Sequence, residues 1–308
     1  MINKQLGERI KAEKKELDNL RPFSEASLKR LKENFMILLT HHSNAIEGNT
    51  LSLGETKLVL EEGITIGGKS LKDHLEVINH KKALDLLENY VQQKQQLNES
   101  MLCELNKIIL TEIEDEEAGK YRIRKVYITG ASFVPPKPDL IPKLMKQFFR
   151  WLNQTKKEET ILFAAKLHEK ITLIHPFIDG NGRVARLITN LFFMQQGYPP
   201  ILILKTERKK YIQTLDQAHQ GNNKPFAHFL ARCMERSLAM YLEALKIPEK
   251  NEEYVLLDEA TKWCNYSQEY LSLLARTGRI HAIKKARNWL TTKKAIDEYN
   301  LNNLKKLN

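Results

Sequence analysis

The sequence predicts a mostly helical protein, with one β-hairpin in the middle of the chain and a small second domain at its C-terminal end. Three observations carry this. Long Leu-, Lys- and Glu-rich stretches with few turn clusters favour helix. Only Lys125 to Pro136 gathers β-branched and aromatic residues around a central glycine, closed by two prolines, which is the clearest strand signal. The 308 residues, 42% of them apolar, suffice for two domains with a sizeable core.

Met1 to Leu20 reads as a solvated charged helix that Arg21-Pro22 ends. Ser24 then caps a helix whose Leu28, Leu31, Phe35, Leu38 and Leu39 recur at helical spacing and which runs on through Asn49. Its adjacent His41 and His42 point to different faces, which argues against a shared metal. Gly48 reads as a helix stop, leaving Glu47 as a carboxylate at a helix C-terminus, unfavourable unless a cation meets it. Arg186 is the candidate cation. Leu51 to Gly63 contains a third helix. Leu71 to Asn89 forms a longer one, with Leu75, Ile78, Ala83, Leu84, Leu86 and Leu87 as core and His74 and His80 as surface or packing residues.

Met101 to Leu110 is helical, and the hairpin follows. Its free edges offer a place for a target segment to add as a strand, although a hairpin that merely covers the core is the plainer account. Asp139 to Trp151 and Glu158 to Ile174 are amphipathic helices. Leu187 to Gln196 is apolar almost all round, as a buried central helix would be, and Gly197-Tyr198-Pro199-Pro200 stops it. Beyond a linker at Ile247 to Asn251, Leu257 to Trp263 makes a short helix and Ser267 caps a second that Gly278 ends. Arg279 to Ile283 and Asn288 to Leu290 suggest a two-strand wing carrying Lys284, Lys285 and Arg287.

Chemistry concentrates in His175-Pro176-Phe177-Ile178-Asp179-Gly180-Asn181-Gly182-Arg183-Val184-Ala185-Arg186. Pro176 forbids helix for its predecessor, and the Gly-Asn-Gly turn opens a new helix near Arg183. The glycines allow successive N–H groups to face one concavity, and the positive end of the helix dipole faces the same spot. Arg183 and Arg186 lie three apart on one face, suited to phosphate oxygens. His175 titrates near working pH and suits a general base, and Asp179 is a hard oxygen donor of the kind Mg²⁺ takes. Each residue alone has a plainer account as turn or cap. Two arginines at a helix N-terminus, however, are the wrong sign unless an anion meets them.

This stretch matches the signature of Fic proteins, His-x-Phe-x-(Asp/Glu)-Gly-Asn-Gly-Arg-x-x-Arg, at every defined position. The resemblance implies a Fic-type helical core over 101–246 with a β-hairpin flap, preceded by an N-terminal helical region over 1–100 with an inhibitory helix near 36–48. It implies transfer of AMP from Mg²⁺-bound ATP to a Ser, Thr or Tyr hydroxyl of a target protein, and of the chain itself. By the same resemblance His175 is the base, Asp179 the Mg²⁺ ligand, Gly180, Asn181 and Gly182 the nest around the α- and β-phosphates, and Arg183 and Arg186 the holders of the outer phosphates. A lysine in the nest marks relatives that transfer the terminal phosphate instead, and Gly182 departs from them. Tyr211 and Leu215 match positions lining the adenine pocket, with plain packing as the alternative. Val126, Tyr127, Ile128 and Thr129 resemble the flap that clamps a target. Ser43-x-x-x-Glu47-Gly48 matches the inhibitory motif, whose glutamate takes the second arginine from the γ-phosphate. Removal of AMP by the same site, and a DNA-binding regulator that only senses nucleotide, stay open as alternatives.

Residues 252–308 resemble the winged helix-turn-helix of excisionase-like proteins, which makes DNA a candidate partner and protein docking the alternative. The net charge of +11 favours acidic partners without choosing among them. Cys103, Cys233 and Cys264, odd in number and widely spaced, suit neither a disulfide framework nor a metal site. No run approaches a membrane span and the first eighteen residues lack an apolar core, so a cytoplasmic protein is expected. A homo-oligomer is compatible with the sequence.

Overall fold

The side chain of Ser24 accepts from the N–H of Ser27 and starts the helix that later supplies Glu47 to the site. The computed structural model describes residues 3–127, 133–154, 159–246, 254–285 and 288–304. Residues 1–245 form one unit and 246–308 a second. The first contains α1 (Lys4–Asn19), α2 (Glu25–Ile46), α3 (Leu53–Glu62), α4 (Leu71–Gln92), α5 (Glu99–Leu110), α6 (Ile141–Gln154), α7 (Thr160–Ile174), α8 (Asn181–Gln195), α9 (Arg208–His219) and α10 (Lys224–Lys246). Among the described residues no helix is long and apolar enough to cross a membrane.

Two apolar cores flank the α7–α8 pair. One packs Phe35 and Leu39 of α2, Leu84 and Leu87 of α4, Leu102 and Leu105 of α5, and Met145 and Phe148 of α6 against Leu167, Ile171, Leu187 and Ile188. The other joins Leu6, Ile10 and Leu17 of α1 to Ile161, Phe193, Tyr211 and a run of α10 residues from Phe226 to Leu242. Because α8 lies between both cores, it is apolar almost all round, as its sequence anticipates. Leu28, placed on the apolar stripe of α2 by its spacing, is 48% exposed, since it lies in the first turn beyond the edge of the core.

His74 and His80 are both buried. The His74 ring ties the Ile66 N–H to the Ser70 carbonyl, and the His80 ring faces the Thr40 hydroxyl. The hairpin expected over 125–136 carries no strand in its described parts, Lys125–Tyr127 and Phe133–Pro136. Ile128 and Thr129 lie outside the described residues. At either end of this segment the Arg124 and Pro136 carbonyls accept from the Arg122 side chain.

The second unit contains β1 (Val255–Leu256), α11 (Leu257–Ala260), α12 (Gln268–Arg276), β2 (Ala282–Lys285), β3 (Asn288–Thr291) and α13 (Lys293–Leu304). Ser267 caps α12 by accepting from Tyr270 N–H, and Gly278 follows it at φ 66°. The strands form an antiparallel sheet in the order β1-β3-β2, with Ile283 opposite Leu290 and Val255 opposite Thr291. At two residues, β1 is too short to show an alternating pattern in the sequence. The linker expected at Ile247 to Asn251, and Arg287 on the wing, lie outside the described residues.

Candidate active site

Helix α7 ends because Pro176 cannot continue it, and His175 closes it in the left-handed conformation, φ 52° and ψ 58°. Its N–H still bonds to the Ile171 carbonyl at 2.9 Å. The loop that follows is held from within. The Asn181 side chain accepts from the N–H of Phe177 and donates to the carbonyl of the same residue, both at 2.9 Å, while the Phe177 ring is fully buried. Asn106 of α5 donates to the Asp179 carbonyl at 3.0 Å and accepts from the Gly119 N–H at 2.9 Å. Gly180 stands at φ 79°, and a Cβ there would lie 2.7 Å from Ile109 Cδ1. Only glycine fits.

Arg186 emerges from the second turn of α8 into the end of α2. Its Nε donates to Ser43 Oγ at 2.9 Å, and its Nη2 donates to the Ser43 carbonyl at 2.9 Å and to Glu47 Oε1 at 2.7 Å. A Cβ on Gly182 would meet that same Oε1 at 2.4 Å. The Glu47 carboxylate therefore rests against the glycine turn, close enough that only a residue without a side chain admits it. Arg208 donates from Nε to the Ile46 carbonyl at 2.6 Å and caps the end of α2. Glu47 is thus a carboxylate at a helix C-terminus that is met by a cation, which offsets the unfavourable dipole.

Arg183 turns the other way. It is 2% exposed, with Nη1 donating to Glu76 Oε1 at 3.1 Å and Nη2 to Asp179 Oδ2 at 3.2 Å. The other Glu76 oxygen accepts from Asn49 Nδ2 at 2.9 Å. Arg183, expected beside the outer phosphates, pairs here with Glu76 and Asp179, the counter-charge that an arginine buried this deeply requires.

His175 donates from Nδ1 to the Thr172 carbonyl at 3.2 Å, which leaves Nε2 as the nitrogen with a lone pair. Burial pushes the imidazole down to about 4, with Arg122 acting in the same direction; the Thr172 carbonyl, Glu47 and Asp179 oppose. His175 is therefore a neutral base near neutral pH. His219, whose Nε2 lies 3.0 Å from Thr172 Oγ1, is likewise lowered to about 4, by burial first, and its ring packs edge-on to Phe133 at 4.2 Å.

Over the loop opens a cavity of about 370 Å³, lined by His175, Asp179, Gly180, Asn181 and Gly182, by Glu47, Arg208, Tyr211 and Leu215, and by Val126, Tyr127, Phe133 and His219. Residues 96–193 match the family model described as the Fic/DOC family. A Fic-domain-containing signalling protein of Bacteroides thetaiotaomicron superimposes with a TM-score of 0.71 at 33% identity, covering 77% of this chain and 98% of that one. The chain belongs to the Fic/DOC family. A Fic family protein of Desulfovibrio desulfuricans shares the fold over 95% of this chain and 97% of its own, with a TM-score of 0.67 at 20% identity. A Drosophila ananassae protein called "Protein adenylyltransferase Fic" is 37% identical over 223 residues, 72% of this chain. The chain spans 44% of that relative's length.

Of the expected site residues, His175, Asp179, Gly180, Asn181, Gly182 and Glu47 line the cavity, while Ser43 and Arg186 bond to one another behind Glu47. Tyr211 reaches the wall but is 4% exposed, and its hydroxyl donates to His168 Nε2 at 2.8 Å. Val126 and Tyr127 face the cavity, and Tyr127 is 80% exposed. Glu76, Asn106, Arg122, His168 and Arg208 all support the site, and none stands out in the sequence.

Glu76→Gln leaves Arg183 with half its counter-charge. The expected cost is about 3 kcal/mol, read as a lower urea midpoint with unchanged m-value. An unchanged midpoint would show that Asp179 alone suffices.

Proposed function

We propose that this Fic protein transfers AMP from ATP to a Ser, Thr or Tyr hydroxyl of a target protein and of itself, held in check by Glu47. The observation that carries the reading is the Glu47 carboxylate, which lies against Gly182 and pairs with Arg186 at 2.7 Å. A carboxylate there marks an anion site, built from a glycine turn at the positive end of α8 and a buried guanidinium. The names of the relatives support adenylyl transfer as the use of that site.

In this reading the acceptor hydroxyl attacks the α-phosphorus, the bond to the bridging oxygen breaks and pyrophosphate leaves. His175 Nε2 takes the hydroxyl proton. The N–H groups of the turn and Arg186 oppose the charge that develops on the phosphates. Asp179 fits Mg²⁺. Its side chain is 47% exposed, and its oxygens accept one bond each from Gly180 N–H and Arg183. Lone pairs remain for a cation that otherwise relies on phosphates and water. When bound, Mg²⁺ would supply charge neutralisation on the phosphates. Glu47 excludes the γ-phosphate by high effective concentration on the same chain.

With ATP labelled on the α-phosphate, Glu47→Gly is expected to increase retained label, and His175→Ala in that background to lower it by about 10²–10⁴-fold. Label retained only from the γ-phosphate would indicate phosphoryl transfer, and loss of label from a pre-labelled target would indicate AMP removal. The sign of the pH dependence follows from His175, which works only unprotonated. With its pKa lowered to about 4, single-turnover transfer by Glu47→Gly is expected to hold level from pH 8 to 5 and to fall only as pH drops through about 4. A fall centred near 6.5 would show that burial does not lower the His175 imidazole during transfer.

The second unit supports a DNA-binding reading through one observation, the order of its elements. A short helix and a Ser-capped second helix precede a β2–β3 wing with Lys284 and Lys285 exposed, as in a winged helix-turn-helix. The full chain is expected to retain duplex DNA in a salt-sensitive way, and Lys284→Glu with Lys285→Glu to abolish the retention. Retention that ignores salt, or none, would leave protein docking.

A further inference from the structure

Arg122 is a buried cation, 2% exposed, and among the described residues it pairs with no carboxylate. All its acceptors are main-chain carbonyls. Nε donates to His175 O at 2.7 Å, Nη1 to Arg124 O at 3.1 Å and Nη2 to Pro136 O at 2.6 Å. Its own N–H donates to Pro176 O at 2.9 Å. One residue thus holds two consecutive carbonyls of the catalytic loop and both ends of the segment that brings Val126, Tyr127 and Phe133 to the cavity.

We propose that Arg122 is a positioning residue that ties the left-handed His175 to the Arg124 and Pro136 carbonyls, and so sets the place of the base relative to Val126, Tyr127 and Phe133 at the cavity. This rests on the AMP-transfer reading. A non-glycine residue at φ 52° is strained and persists only where its surroundings over-determine it. Here the guanidinium holds the His175 carbonyl, an acceptor that the end of α7 would otherwise leave open, while the Arg122 amide holds the next one. Burying the charge without a carboxylate is costly, and three carbonyl dipoles in a fixed fork offset that cost. A lysine keeps the charge but cannot reach three divergent carbonyls, and glutamine keeps one or two bonds without the charge. Arg122 touches neither nucleotide nor acceptor in this arrangement, so its effect passes through the geometry of His175 and of the segment above.

The first test is hydrogen exchange read by mass spectrometry on the full chain, comparing wild type with Arg122→Lys and Arg122→Gln. Peptides covering 123–136 and 175–180 are expected to exchange about ten-fold faster together, while those from the centres of α5, α8 and α10 keep their rates. Acceleration of one segment alone, or of the whole molecule equally, would overturn the proposal and leave Arg122 a packing residue. The second test adds Arg122→Lys to Glu47→Gly. Affinity for a fluorescent ATP analogue is expected to stay within about three-fold, while single-turnover self-transfer of α-label falls about ten-fold or more. A parallel fall of binding and rate, or an unchanged rate, overturns it. If Glu47→Gly with Arg122 intact transfers no label, the AMP-transfer reading fails, and the proposal in this form fails with it. The exchange data then still decide whether Arg122 couples the two segments.

Discussion

Two buried arginines on the first two turns of α8 impose the constraint that organises this molecule. The helix dipole is already positive there, so each guanidinium adds to an unfavourable field and requires negative charge from another element. Asp179 supplies some from the loop, Glu76 from α4 and Glu47 from α2. The ends of α2 and α4 are in turn held together by Asn44, Asn49 and Thr50, which bond to the main chain and side chains of Asp73 and Glu76. The approach of these helices to α8 is thus set by charge neutralisation as much as by apolar packing.

The two pairs are not equivalent. Arg183 and Glu76 are 2% and 9% exposed as side chains, so their separation would leave a charge stranded away from water. Arg186 is similarly buried, at 7%, but its partner Glu47 is 37% exposed at the rim of the cavity. Glu47 can return to water at modest cost provided another anion takes its place on Arg186. Nucleotide phosphate is that anion in the proposed reaction. The exposed partner is the exchangeable one, and the dry pair below keeps the frame.

The buried imidazoles obey the same field. Burial, then the positive charges of Arg186 and Arg183, hold His80 at about 3, and burial with Arg186 and His219 holds His168 well below its ordinary range. His168 sits in a chain whose direction is forced. Thr189 donates to the Ala185 carbonyl, so its oxygen accepts from His168 Nδ1, and Nε2 then accepts from the Tyr211 hydroxyl. The Tyr211 ring is thereby a fixed wall of the cavity. A sequence shows a tyrosine four residues from a leucine and leaves packing and ligand contact equally open; the distinction depends on a histidine more than forty residues away.

Local chemistry was legible where it is local. Pro176 after His175, glycines at 180 and 182, Ser24 and Ser267 as caps, and the apolar surround of α8 all act over a few residues, so the chain alone determined these helices and the glycine turn between α7 and α8. Its motif likewise placed Glu47 opposite Arg186, because a carboxylate and a guanidinium each at the wrong end of a helix need one another. That Arg183 takes a different carboxylate, Glu76, was decided only by the tertiary structure. Arg183 and Arg186 are chemically alike and three residues apart, and Glu76, more than a hundred residues before Arg183 in sequence, captures one and leaves the other to Glu47. At either end of the 125–136 strand signal, Arg122 takes the Arg124 and Pro136 carbonyls, a contact that local propensity does not encode.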